Sequence, residues 1–199
     1  NHNMPAFPKT EQACEIIPEK VNIEPFTMVI FGGSGDLSRR KLLPTLFHLC
    51  HDQNMPDEFA IIGFASSKRT DEEYRSLVKE AILEFSEDPI TDKCWEKFSK
   101  NLYYISGNFD DKKSYDNLSK KMEEVAKATE SGRKEIIYYM AVPPRFLPGI
   151  FEMMPQCNLC KGTFDARVIV EKPFGTDRGS AARLNSIIAN AFNEDRIYR

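Results

Sequence analysis

Short, nearly continuous apolar runs alternate along the chain with longer segments whose apolar residues recur every three or four positions. Each run is bounded by Gly, Pro, Asn or Lys, as expected for a strand that is covered on both faces. The runs are FTMVIF (26–31), FAIIGFA (59–65), LYYIS (102–106), EIIYYMAV (135–142) and ARVIVE (166–171). They predict five parallel strands.

Four segments between or after these runs carry a single apolar stripe, which predicts amphipathic helices. The stripes are Leu43, Leu46, Phe47 and Cys50; Tyr74, Leu77, Val78, Ala81, Ile82 and Phe85; Tyr115, Leu118, Met122 and Val125; and Leu184, Ile187, Ile188, Ala191 and Phe192. Thr70 and Glu73 have the spacing of a capping box at the start of the second helix. The alternation predicts an α/β fold, a doubly wound parallel sheet of the Rossmann-like dinucleotide-binding type, with any ligand outside the carboxyl ends of the strands.

Length and composition narrow the possible domain organisation and partners of the protein. The 199 residues suit one core with an arm, or one domain of a larger protein, and we expect a poorly ordered arm over residues 1–24 and the NAD(P)-binding domain over residues 25–199. The net charge is −3 and no apolar run approaches the roughly 18 residues that span a bilayer, so neither nucleic acid nor a membrane is an expected partner. Five cysteines without a secretory signal predict reduced thiols and a cytoplasmic protein, and Cys157-x-x-Cys160 without a second pair predicts no metal site.

The first strand ends abruptly in glycines, in the stretch MVIFGGSGDLSRRK (28–41). Gly32, Gly33, Ser34 and Gly35 would leave backbone N–H groups and a helix N-terminus bare at the edge of the sheet, which is a site for an anion such as a pyrophosphate. The bases at 39–41 could supply opposing charge. A simple tight turn is the alternative, although the position after the first strand of an alternating array favours the coenzyme site.

In the dinucleotide register, Gly33, Gly35 and Ser38 take the three positions of G-x-G-x-x-G, with Ser38 an imperfect third glycine. Asp36 would be an N-cap or first-turn acid, which the helix dipole favours. Pro44 conflicts with the predicted helix, which must either kink there or begin near Leu43.

The second predicted strand ends in GFASSKRT (63–70), where an NAD-selective domain would have an acid that binds the ribose hydroxyls. Ser66, Ser67, Lys68 and Arg69 offer hydroxyls and cations instead. They favour NADP over NAD, and a solvated basic turn remains the alternative. The last predicted strand ends in VIVEKPFGTD (168–177), where Lys172 would either enter the cleft or pair with Glu171 on the surface.

Four segments resemble, in order and spacing, the coenzyme domain of the glucose-6-phosphate dehydrogenase family, and the resemblance runs from about Thr27 to Arg199. They are GGSGDLSRRKLLPTLFHL (32–49), AVPPRF (141–146), EKPFGTD (171–177) and the terminal DRIYR (195–199). Pro44 is then a family feature. The coenzyme-binding residues that the resemblance implies are Gly32, Gly33, Ser34, Gly35, Asp36, Leu37, Asn108, Phe109 and Lys172.

The resemblance also assigns Lys172 to the substrate, glucose 6-phosphate, and places a cis peptide bond before Pro173. The family usually has an arginine for the 2′-phosphate where this chain has Ser66. Either Lys68 or Arg69 then replaces it, or the enzyme accepts NAD as well as NADP.

By resemblance, the parent enzyme transfers a hydride from glucose 6-phosphate to NADP and forms 6-phosphogluconolactone, as a homo-oligomer. Its catalytic histidine belongs to a second domain, so we expect this chain to contain no catalytic residue and to bind coenzyme without turnover. The alternatives are a dehydrogenase of another sugar phosphate and a stand-alone nucleotide-sensing module.

Overall fold

A computed structural model describes residues 24–128, 135–160, 165–171 and 178–199. The described residues form one six-stranded sheet with helices on both faces. The strands are β1 (Phe26–Phe31), β2 (Phe59–Ala65), β3 (Leu102–Ser106), β4 (Glu135–Met140), β5 (Asp165–Val170) and β6 (Ile197–Tyr198). The helices are α1 (Leu43–His51), α2 (Asp71–Phe85), α3 (Asp92–Ser99), α4 (Lys112–Lys127), α5 (Leu147–Gln156) and α6 (Arg178–Ala191).

All paired strands are parallel and lie in the order β3-β2-β1-β4-β5-β6. The chain first moves outward from β1 to β3 and then crosses back to β4 on the other side of β1, which is the strand order of a doubly wound fold. The five predicted strands and the fold class are confirmed, and a short sixth strand is added. The switch in direction lies at the carboxyl ends of β1 and β4.

The sheet is buried on both faces, which explains why its strands read as unbroken apolar runs. Val29 and Phe31 point into the core on the α4, α5 and α6 side, whereas Met28 and Ile30 point into the core on the α1, α2 and α3 side. Every residue of β1 and β2 is buried. Because β1 is covered so completely, its carboxyl end is held in a fixed position.

Two helices were not anticipated from the pattern. One is α3, which has only 8 residues and begins after Thr91, whose side chain accepts a hydrogen bond from the Cys94 N–H. The other is α5, which contains Pro148, Gly149 and Pro155, residues that usually signal loops. Tertiary packing of its buried Leu147, Ile150, Phe151 and Met154 overrides those signals.

Pro44 is accommodated by a π-helical turn rather than by a sharp break. The chain is helical from Asp36, widens into a π-helix over Ser38–Leu42 and continues as α1, with Pro44 in its first turn. A proline lacks the N–H that would continue an α-helical ladder and crowds the carbonyl four residues earlier, and a wider turn removes both conflicts. The expected start near Leu43 is therefore observed, but as a change of helix type.

Of the predicted arm, only Glu24 lies within the described residues. Over the described ranges, no helix is long and apolar enough to cross a bilayer.

Candidate coenzyme site

The turn after β1 is fastened to β2 and to itself by four hydrogen bonds. The backbone N–H groups of Gly32 and Gly33 both donate to the Phe64 carbonyl, at 2.8 and 3.3 Å. The Gly32 carbonyl accepts from the Gly35 N–H at 3.0 Å and from the Ser38 hydroxyl at 2.8 Å. The turn is thus a preformed loop that leads directly into a helix.

The first two glycines satisfy different steric requirements. Gly32 has a φ of +81°, which only glycine adopts readily. A Cβ on Gly33 would lie 2.5 Å from the Gly63 Cα, so β1 and β2 approach too closely there for any side chain. A Cβ on Gly35 would meet only the Gly32 carbonyl oxygen, at 3.3 Å, so the space beside Gly35 stays open for a ligand.

Ser38 does more than stand in for a third glycine. It is completely buried, and its hydroxyl closes the loop onto the Gly32 carbonyl. A glycine at this position could not make that bond. Leu37 beside it packs half-buried against the core on the α1 side.

Asp36 lies in the first turn of the helical segment, as predicted, and its carboxylate is exposed. The Arg39 guanidinium donates to Asp36 Oδ1 at 2.7 Å. This pair partly neutralises the acid at the mouth of the turn, which favours the approach of an anion.

Two buried tyrosines that sequence reasoning assigned no role support the glycine turn from below. The Tyr74 hydroxyl donates to the Gly33 carbonyl at 2.8 Å, and the Tyr74 ring lies against Gly63. The Tyr104 ring centroid is 5.0 Å from that of Tyr74. Burial raises the pKa of both hydroxyls. Tyr74 belonged to a predicted apolar stripe, but its distant carbonyl acceptor gives no signal in the sequence.

The β2–α2 turn carries the residues predicted to recognise the ribose end of the coenzyme. Ser66 and Lys68 are exposed at the carboxyl end of β2. The predicted capping box is confirmed, because Glu73 N–H donates to the Thr70 hydroxyl at 3.1 Å and Thr70 N–H donates to the Glu73 carboxylate at 3.2 Å. The Tyr104 hydroxyl donates to the backbone carbonyl of Ser67, tying this turn to β3.

Asn108 and Phe109 lie just past the end of β3, beside the same edge. Asn108 is exposed, and its backbone N–H donates to the Ser114 hydroxyl at 3.0 Å. The Phe109 ring is half-buried, 5.9 Å from the Phe31 ring and 5.4 Å from the Phe64 ring. Phe109 therefore packs directly on the carboxyl ends of β1 and β2.

Glu171 is the last described residue after β5, so Lys172 and Pro173 lie outside the described residues. The Tyr139 hydroxyl donates to the Glu171 carboxylate. Burial, followed by the bond to Glu171 and its charge, raises the pKa of Tyr139. The placement of Lys172 in the cleft and its pairing with Glu171 both stay predictions.

The turns after β1, β2 and β3 meet at one edge of the sheet because these strands are parallel neighbours. Phe31 pairs with Phe64 and Ala65 pairs with Ser106 at their carboxyl ends. No group of three or more His, Cys, Asp or Glu that could hold a metal ion occurs in the part of the chain that is described. A glycine turn leading into a helix, beside a basic turn on the next strand, defines a dinucleotide-binding domain of the doubly wound class.

Within that class the chain belongs to the glucose-6-phosphate dehydrogenase family. The family model described as "Glucose-6-phosphate dehydrogenase, NAD binding domain" matches residues 29–199. A glucose-6-phosphate 1-dehydrogenase of Chlamydia pneumoniae is 36% identical over 179 residues, which are 87% of this chain and 35% of that protein. The cytoplasmic glucose-6-phosphate 1-dehydrogenase 5 of Arabidopsis thaliana is 35% identical over 178 residues, or 87% of this chain and 34% of that protein.

Solved structures agree with this assignment. A glucose-6-phosphate dehydrogenase in complex with its substrate glucose 6-phosphate is 33% identical, superimposes with a TM-score of 0.77, and is matched over 87% of this chain and 36% of its own. A glucose-6-phosphate 1-dehydrogenase from Mycobacterium avium is 31% identical with a TM-score of 0.73, over 86% of this chain and 35% of its own. The chain thus spans about a third of the length of the relatives it matches.

Proposed function

We propose that this chain is the NADP-binding part of an enzyme that oxidises glucose 6-phosphate to 6-phosphogluconolactone. The observation that carries the proposal is the glycine turn at the switch point of the sheet. Its Gly32 loop is preformed and its Gly35 side is open. The family to which the chain belongs supports the substrate, since one structural neighbour was solved with glucose 6-phosphate bound.

The proposed roles follow the position of each residue. The stretch that would cradle the pyrophosphate is Gly32, Gly33, Ser34, Gly35, Asp36 and Leu37. The N–H groups of Gly32, Gly33 and Gly35 already donate within the protein, so these glycines would shape the turn and let the phosphate approach. The N–H groups of Ser34, Asp36 and Leu37 and the positive end of the helix would face the anion. Asn108 and Phe109 would lie beside the coenzyme, where the buried side of Phe109 fixes one wall. Ser66 and Lys68 would face the ribose. When bound, NADP accepts the hydride removed from the sugar.

The remaining parts of the proposal concern the whole enzyme. Lys172 would contact both the coenzyme and the sugar phosphate, after a cis peptide bond to Pro173. The catalytic base would come from a region beyond residues 25–199, so this chain by itself would bind coenzyme without turnover. We also propose a homo-oligomeric enzyme located in the cytoplasm, the location given in the name of the Arabidopsis relative.

Calorimetric titration of the 199-residue protein with NADP⁺ and with NAD⁺ tests the coenzyme site. The sharpest variant is Gly35→Val, because the built Cβ meets a single backbone oxygen, closely at 3.3 Å, and the added side chain would block the open side of the turn. Gly149→Val is the matched control, since an added Cβ there meets nothing within 4 Å.

We expect the parent and the Gly149→Val variant to bind NADP⁺ alike, and the Gly35→Val variant to bind at least about tenfold more weakly, a loss of about 1.4 kcal/mol. A Gly35→Val protein that is folded and binds NADP⁺ as tightly as the parent would contradict the assignment of the turn. A parent protein that binds neither coenzyme would contradict the proposed function as a whole.

A further inference from the structure

Arg69 is a cation without an acidic partner. Four other arginines, Arg39, Arg75, Arg167 and Arg196, each approach a carboxylate within 4 Å. No carboxylate among the described residues forms such a pair with Arg69, although its side chain is half-buried and its Nε is enclosed without a hydrogen-bond partner in the described chain. A partly desolvated guanidinium is stabilised by an anion, and none is supplied by the described parts of the protein.

The acids nearest to Arg69 in the sequence are already engaged elsewhere. Asp71 accepts from the Tyr104 backbone N–H at 2.7 Å and from Lys121 Nζ at 3.2 Å. Glu72 pairs with Arg75 at 2.6 Å, and Glu73 caps the start of α2. The carboxylates in the first turn of α2 therefore bind other groups, and none of them compensates the charge of Arg69.

The surroundings of Arg69 place it beside the glycine turn. The two turns follow neighbouring strand ends, since Phe31 pairs with Phe64 and the Gly32 N–H donates to the Phe64 carbonyl at 2.8 Å. The Tyr104 hydroxyl, which donates to the Ser67 carbonyl, lies near both Ser34 and Arg69, because both oppose the rise in its pKa that burial causes. The charge of Arg69 also reaches Tyr74, whose hydroxyl is bonded to the Gly33 carbonyl at 2.8 Å. The Ser34 hydroxyl after β1 and the Arg69 guanidinium after β2 thus both lie near Tyr104.

Tyr104 also fixes the backbone that carries the cation. Its hydroxyl donates to the Ser67 carbonyl, and it lies 3.3 Å from the Ala65 carbonyl oxygen, so the start of the β2–α2 turn is tied down. Thr70 at the other end of the turn is fixed by the capping box. The turn that carries both cations is thus fixed at both ends. Within it the Arg69 side chain is half-buried with its Nε enclosed, whereas Lys68 is exposed and makes no hydrogen bond or ion pair with the described residues.

We propose that Arg69, rather than Lys68, is the residue that selects NADP, by binding the phosphate monoester on the adenosine ribose with the Ser34 hydroxyl as second donor. This inference rests on the proposed coenzyme-binding function and deepens it. An arginine presents a planar fork of donors to a phosphate, whereas a lysine acts as a mobile point charge. An anchored arginine therefore compensates for the serine at position 66.

The experiment measures the ratio of NADP⁺ to NAD⁺ affinity by calorimetry for the parent, Arg69→Gln, Arg69→Lys and Lys68→Gln proteins. Adenosine 2′,5′-bisphosphate and adenosine 5′-monophosphate serve as smaller probes that differ only in the 2′-phosphate. The neighbouring Lys68→Gln change tests the competing cation, because it removes the same charge from the same turn.

We expect Arg69→Gln to weaken NADP⁺ binding by about 10- to 100-fold, as for loss of a charged hydrogen bond, with NAD⁺ affinity changed less than about threefold. Lys68→Gln should lower the ratio by less than about threefold, and Arg69→Lys should fall between the parent and Arg69→Gln. The bisphosphate should show the same loss as NADP⁺, and the monophosphate should show none.

An Arg69→Gln protein with the parental ratio overturns the inference, including the case in which both affinities fall together because the turn is disturbed. A Lys68→Gln protein with the larger drop in the ratio overturns it as well and assigns the phosphate to Lys68. If the parent binds NADP⁺ and NAD⁺ equally, the site does not discriminate and the inference fails while the coenzyme site stands. If the parent binds neither, the proposed function fails first.

Discussion

Buried tyrosines hold several strand ends of the sheet, and two of these contacts differ in what the hydroxyl binds. At the end of β1, Tyr74 is fully buried and donates to a neutral carbonyl, that of Gly33. At the end of β5, Tyr139 is also buried but donates to the carboxylate of Glu171, which is half-exposed. The contact of Tyr74 with Gly33, the Tyr74 junction, therefore fixes the backbone conformation of the turn. The contact of Tyr139 with Glu171, the Tyr139 junction, orients a carboxylate.

The difference matches the tasks proposed for the two edges. The proposed pyrophosphate site would need backbone groups at a fixed spacing, and the Tyr74 junction is tightly packed, with Gly63 leaving no room for a Cβ. The Tyr139 junction instead ends on a half-exposed carboxylate that water can also solvate, one residue before the lysine proposed to contact the sugar phosphate. We thus expect changes at the first junction to affect stability strongly and changes at the second to affect it weakly.

The largest expected effect is that of Gly63→Ala. The new Cβ would lie 2.5 Å from Cζ and 2.7 Å from the hydroxyl oxygen of Tyr74, which is enclosed and cannot move aside. We expect the free energy of unfolding to fall by about 2–3 kcal/mol, as for an overpacked core. Urea denaturation measures it. In the control Gly149→Ala, where space is open, stability should instead rise by about 0.5–1 kcal/mol.

Next in size is Tyr74→Phe, which keeps the ring and removes the hydroxyl. The Gly33 carbonyl then loses a buried donor, which should lower the free energy of unfolding by about 1–2 kcal/mol. Tyr198→Phe, at an exposed position, should change it by less than about 0.5 kcal/mol. Equal stability of the two variants would show that the Tyr74 hydroxyl does not support the turn.

High pH provides a second test of the Tyr74 hydroxyl, because its ionisation affects stability. Burial raises the pKa of Tyr74 above its ordinary value of about 10, so above that pH the unfolded chain releases a proton that the folded chain retains. The unfolded state is then favoured, and stability that is present below pH 10 is lost as the pH rises, by up to about 1.4 kcal/mol per pH unit for one residue.

The Tyr74→Phe variant lacks this titration. Its deficit relative to the parent should therefore shrink by about 1 kcal/mol between about pH 9 and pH 11 in parallel urea titrations. A deficit that stays constant over this range would mean that Tyr74 ionises equally in both states.

The smallest effect is expected for Tyr139→Phe. The lost bond ends on a half-exposed carboxylate that water can solvate, so stability should fall by less than about 1 kcal/mol. A double-mutant cycle with Glu171→Gln measures the coupling of the two side chains. A coupling as large as the loss in Tyr74→Phe would erase the distinction between the two junctions.

Much of the fold was predictable because its signals are local. The apolar runs that begin at Phe26 and Phe59 coincide with strands β1 and β2, and the capping box that the spacing of Thr70 and Glu73 predicts is formed. The helix α5 was missed because Pro148 and Pro155 obscure a stripe that is stabilised only by burial against the sheet. In the candidate site, the glycine turn could be located in advance, and the assignment of its residues to the coenzyme stays a prediction.

The amino-acid pattern alone was enough to locate the five longer strands, four of the helices, the glycine turn and the family, since periodicity and motif spacing are properties of residues close in sequence. Long-range packing was needed to show that the Tyr74 hydroxyl reaches the Gly33 carbonyl across 41 residues and that Ser34 and Arg69 both lie near Tyr104. Such contacts depend on which strands become neighbours. The packing of β1 between β2 and β4 brings distant side chains together, and no local pattern records that choice.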